Sequence, residues 1–176
     1  RRDRAGFTIV ELLISLVLVS MLLTTIALAM RASMDSYEAN EHAAAVNQAS
    51  RALAMRMQRE IRQADAVDYT AGTRKVVITP PANADGLQQI TYLYTTTNHT
   101  LTYSLTYANA SKNVTETLFG PTSDVQLSSF YVTYNTVLND QGLWCTRRVI
   151  CTAYFATGGQ TTPLVFTASP RRNLSY

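Results

Sequence analysis

The stretch that decides the fold is "RAGFTIVELLISLVLVSMLLTTIALAMR", residues 4–31. From Phe7 to Met30 it runs 24 residues with no Lys, Arg, Asp, Pro or Gly. As a helix rising ~1.5 Å per residue it spans about 36 Å, enough for a hydrocarbon core of ~30 Å. One acid, Glu11, interrupts it. An ionisable group in lipid costs up to ~3 kcal/mol near the middle of a span and less near an end, so Glu11 needs a partner. Arg1, Arg2 and Arg4 precede the run and only Arg31 follows it directly. The positive-inside rule then puts the N-terminal end in the cytoplasm and the remainder of the chain outside it.

A secretory signal peptide is the competing reading of the same run. Its apolar region is usually about 7 to 15 residues, whereas Leu12 to Met30 alone gives 19. Ala27-Leu28-Ala29 does fit the small-residue pattern of a signal peptidase site. A released protein would then begin at Met30.

The chain has 176 residues and a formal net charge of +3. If the first thirty residues lie in or beyond a membrane, the rest is long enough for one modest core. Most of the charge excess sits in the first four residues, and the rest carries 12 basic against 11 acidic side chains. That balance does not describe a basic nucleic-acid surface, and no nucleic-acid partner is expected.

"AGFTIVELL", residues 5–13, resembles the type III signal of type IV pilins and type II secretion pseudopilins. The resemblance implies a leader at residues 1–6, cut by a prepilin peptidase between Gly6 and Phe7, with the new Phe7 amine N-methylated. Glu11 becomes the fifth residue of the mature chain, where the family carries its acid. In a filament it would pair with the still cationic amine of a neighbouring subunit, and removing one partner of such a buried pair costs ~3 to 5 kcal/mol. The alternative is that Glu11 snorkels to the interface.

After Gly6 the next Gly is Gly72 and the first Pro is Pro80, so one continuous helix can run through this interval. Met34, Tyr37, Val46, Ala49, Leu53, Met57, Ile61 and Ala64 supply its apolar face, at steps of three and four from position 46. "ALAMRMQREIRQADAV", residues 52–67, resembles the Arg-containing helix end of J-type minor pseudopilins and W-type minor pilins. Beyond residue 73 the pattern turns to period two. Strands are expected at 75–79, 89–96, 100–107, 125–134, 147–157 and 163–169, with a hairpin turn at Thr97-Asn98-His99.

The expected fold is therefore α+β and pilin-like. Residues 7–30 form the transmembrane and filament-core half of a long N-terminal helix, and residues 31–68 its amphipathic half. Residues 73–176 form an antiparallel β head on which that helix packs. No cofactor, metal or catalytic residues are expected: no Ser-His-Asp set, phosphate-cradling loop or cluster of loop acids appears. His42 and His99 read as solvated. Cys145 and Cys151 are the only cysteines. An exported location favours a disulfide between them. On one extended strand, however, their Cα atoms would lie roughly 20 Å apart, and a bridge needs under ~7 Å. It forms only if residues 146–150 double back, and both readings stay open.

The resemblance implies a minor pilin or pseudopilin, a structural subunit and not an enzyme. Its partners would be the prepilin peptidase, other pilin or pseudopilin subunits, an inner-membrane platform protein and membrane lipid. It would be held by a single pass in the inner membrane, with its head in the periplasm or outside, until lifted into a pilus or pseudopilus. The alternatives are a signal-anchored binding protein that never polymerises and an enzyme released after Ala29.

Overall fold

The computed structural model describes residues 8–138, 142 and 144–170. Gly6 and Phe7 lie outside the described residues. The chain divides into two compact units, the first ending at Glu41 and the second beginning at His42.

One helix, α1, runs Ile9–Gln63. Thr8 caps its start: the Thr8 hydroxyl oxygen accepts from the Glu11 N–H at 3.3 Å. Thr8-Ile9-Val10-Glu11 has the spacing of a capping box, and an acid in the first turn is favoured by the helix dipole. Within the first unit every described residue is exposed, although most of residues 9–30 are large apolar side chains. A helix apolar on all sides belongs in lipid or in the core of an assembly. By length and composition this one can cross a membrane.

In the second unit α1 buries Val46, Ser50, Leu53, Met57 and Ile61. Met34 and Tyr37, expected on the same stripe, are 69% and 74% exposed, so the packed face begins at Val46. The helix stops at Gln63, short of the boundary expected at 68. Ala64 N–H bonds the Ile61 carbonyl at 3.2 Å, tightening the last turn. Asp65 N–H then donates to the Thr79 carbonyl at 2.8 Å, which draws the chain into a strand.

The head contains two antiparallel sheets. The first is a meander of β1 (Ala66–Thr70), β2 (Lys75–Thr79), β3 (Leu87–Thr95), β4 (Thr100–Tyr107) and β5 (Val114–Phe119), in that order. The second is β6 (Gln126–Leu138), β7 (Trp144–Thr157) and β8 (Gln160–Ala168). β1 and β5 were absent from the sequence expectation. β1 begins inside the stretch read as helix and runs two residues past it, and only its Val67 is buried. β5 is an edge strand whose first four residues are exposed, so it lacks the alternation that marks a half-buried strand.

One apolar cluster joins the helix to both sheets. Leu53, Met57 and Ile61 share it with Val76, Ile78, Tyr92 and Leu101 of the first sheet and Leu127, Phe130, Val149 and Phe155 of the second. Each such side chain contributes about 1.5–3 kcal/mol on leaving water. Phe119 and Phe155 meet edge-to-face across the sheets at 5.3 Å between ring centres. Thr146 of β7 donates to the Val67 carbonyl of β1 at 3.0 Å. Tyr94 of β3 donates to the Ser128 carbonyl of β6 at 2.8 Å. The sheets are thus joined by polar as well as apolar contacts.

Candidate functional site

The apolar half of α1 contains hydroxyls, and lipid offers them no water. Each finds a carbonyl one turn back. Ser15 donates to Leu12, Ser20 to Val17, Thr24 to Ser20 and Thr25 to Leu22, all at 2.8 Å. The span therefore presents no unmet hydroxyl to hydrocarbon. The Glu11 backbone N–H is held by Thr8, but the Glu11 carboxylate has no partner among the described residues. A carboxylate in this position must find its cation on another group or protonate. Phe7, the partner expected from sequence, is outside the described residues, as is the Gly6 cleavage position.

In the second unit the helix is latched to the first sheet by a charged cluster that the sequence did not announce. Glu60 is mostly buried, its side chain 10% exposed. Tyr92 donates to one of its carboxylate oxygens at 2.6 Å and Tyr103 to the other at 3.1 Å. Arg56, one turn earlier, brings its Nε to 3.6 Å from the Glu60 carboxylate and stacks 3.7 Å from the centre of the Tyr103 ring. Its far nitrogen reaches Glu116 of β5, also at 3.6 Å. Burial raises the Tyr92 pKa, and the Glu60 charge and hydrogen bond raise it further. The arrangement fixes the rotation of α1 over β3 and β4. No metal-binding group of three or more His, Cys, Asp or Glu occurs among the described residues. The signal in sequence was Arg56 and Glu60 at i, i+4, which reads equally well as a solvated surface pair.

Both histidines make a polar contact; His99 is exposed, as the solvated expectation has it, whereas His42 is half-buried. His42 Nδ1 lies 3.2 Å from the Thr157 hydroxyl. His99 has a positive φ of 52° at the β3–β4 turn, and its Nδ1 lies 2.9 Å from the Tyr94 hydroxyl.

Cys145 and Cys151 are free and buried. Both belong to β7, so residues 146–150 do not double back. Asn135 pairs with Arg148 and Thr136 with Thr146, leaving Arg147 as an extra residue that changes which face each cysteine meets. The extended strand therefore keeps the two thiols beyond bridging distance of each other. Burial pushes the Cys151 thiol up to about 12.

Residues 1–27 match the family pattern described as the prokaryotic N-terminal methylation motif. This is the signature of type IV pilins and pseudopilins, and it spans Gly6, Phe7 and Glu11. No curated protein and no solved structure matches the chain. The chain thus carries a prepilin methylation signature, continued by an apolar helix of membrane-crossing length, ahead of an α+β head of pilin-like layout.

Proposed function

We propose that this chain is a structural subunit of a type IV pilus or type II secretion pseudopilus, not an enzyme. The observation that carries the reading is the joint occurrence of the methylation motif and an exposed apolar helix half, residues 9–30, in which the Glu11 carboxylate has no partner among the described residues. The motif implies processing by a prepilin peptidase and assembly with other pilin subunits. On this reading the peptidase cuts after Gly6 and methylates Phe7, and residues 7–30 hold the subunit in the inner membrane. A platform protein then delivers it to a filament in which Glu11 meets the Phe7 amine of a neighbour. Residues 31–63 of α1 and the two sheets form the part outside the membrane. The Arg-containing helix end, Arg51 to Arg62, favours a minor subunit over the principal one.

The test is intact-mass and N-terminal analysis of the protein from its native membranes. A chain beginning at N-methylated Phe7 is the expected result. A chain beginning at Met30 means a released protein and overturns the filament reading. An uncut leader leaves a membrane-anchored protein that does not polymerise by this route.

A further inference from the structure

Beyond the apolar run, the charges of α1 are sorted by sign. Residues 32–50 hold Asp35, Glu38 and Glu41 and no Lys or Arg. Residues 51–63 hold Arg51, Arg56, Arg59 and Arg62 against the single acid Glu60. Arg56 and Glu60 are bound to each other and to the first sheet, so their charges are met within the head. Arg51, Arg59 and Arg62 stay exposed, and none has a partner among the described residues. Glu41 is likewise exposed without one.

Each segment also carries an exposed methionine in step with its charge. Met34, Tyr37 and Glu41 follow one another at steps of three and four, so they form one exposed stripe. Met55, Gln58 and Arg62 repeat the same two steps on the helix face turned away from the buried Leu53, Met57 and Ile61. Arg51 and Arg59, one turn to either side of Met55, widen this second stripe into a basic one. The two stripes superpose at a shift of 21 residues, which sets Met34 on Met55, Tyr37 on Gln58 and Glu41 on Arg62. One register thus matches a thioether with a thioether and an unpartnered acid with an unpartnered arginine.

We propose that Met34, Tyr37 and Glu41 of one copy pack along Met55, Gln58 and Arg62 of a second copy of this chain. On the filament reading every copy is anchored the same way up, so the two helices run parallel. The stripes are different patches, and the contact is heterologous. Repeated, it generates an open helical array and not a closed dimer. Two adjacent copies suffice, so a minor place in a mixed filament is compatible with it. Anionic lipid would also attract the arginines, but it asks for no second stripe of matching step. The proposal rests on the filament reading above and adds to it the register of neighbouring helices beyond the apolar run.

The experiment uses the full chain in cells that process it, with a photocrosslinking amino acid in place of Met34 and, separately, of Leu22 in the apolar span. The Leu22 probe reports subunit association alone and should crosslink throughout. The expected Met34 adduct joins two copies and maps by mass spectrometry to residues 55–62. Glu41→Arg or Arg62→Glu alone should reduce that adduct about tenfold or more, because like charges then face each other across the contact. The two together exchange the charges and should restore it to within about twofold, as coupled partners do. Both side chains are exposed, and a loss caused by misfolding would not be reversed by the second exchange. A Met34 adduct to lipid, to another protein or elsewhere on the copy overturns the contact. So does no Met34 adduct while Leu22 still crosslinks subunits, an adduct indifferent to either reversal, or a double exchange that fails to restore it. Absence of adducts from both positions overturns the contact and the filament reading together.

Discussion

Glu11 and Glu60 are both carboxylates on α1, and their surroundings separate their roles. Glu60 receives two tyrosine hydroxyls and an arginine from its own chain. Glu11 receives nothing from the described residues to its carboxylate. Glu11→Gln should therefore leave membrane insertion unchanged and reduce incorporation into filaments at least tenfold, since a buried ion pair loses ~3 to 5 kcal/mol when one partner goes. Membrane fractionation and the amount of subunit in sheared filaments measure the two effects. Tyr92→Phe acts on the other site. It removes a hydrogen bond to a charged, mostly buried acceptor and should cost about 1.5–3 kcal/mol in urea unfolding. The raised Tyr92 pKa adds a pH signature. Its stabilisation is complete below the usual tyrosine value of 10 and is lost as pH rises beyond it, because the unfolded chain ionises first. The urea midpoint should fall between pH 9 and 11, and less steeply in Tyr92→Phe. The buried Cys151 thiol acts in the same direction between 9 and about 12, so part of the slope remains in the variant.

At the scale of elements, the helix and the hairpins obey local rules until another element intervenes. Gly158 and Gly159 both have positive φ, 55° and 78°, which suits the tight turn joining β7 to β8. A Cβ on Gly158 would also meet His42 Cδ2 at 3.0 Å. Gly158→Ala therefore combines left-handed strain with a crowded imidazole and should destabilise the head by about 1–2 kcal/mol. Gly159→Ala, with open space at its Cβ, meets the strain alone. A comparison of the two melting temperatures isolates the His42 contact. The strands that alternate in sequence, 75–79 and 100–107, lie where the pattern put them, because one face of each meets the core. β5 lacks that signal, since its place at the sheet edge leaves both faces wet over most of its length.

For the whole molecule, every buried apolar side chain among the described residues lies at Val46 or beyond. Folding stability therefore resides in the second unit, and the first presents its apolar side chains outward. A chain starting at Arg31 should be soluble without detergent and unfold cooperatively, with a melting temperature within a few degrees of the full chain in micelles. Circular dichroism reads both. Aggregation or loss of the cooperative transition would show that the head needs the apolar half to fold.

The sequence by itself determined the N-terminal motif, the membrane-length helix and the change from helical to strand periodicity. Each is a local property: a run of apolar residues, a short spaced motif or an alternating strand is complete within its own segment. Tertiary structure decided the rest. It ended α1 at Gln63, where the Thr79 carbonyl captures Asp65, and it divided the head into two sheets. It drew Glu60, Tyr92 and Tyr103 together from three elements, and it set both cysteines along one strand. These outcomes depend on partners far apart in the chain, and the sequence around each residue carries no record of which distant group will meet it.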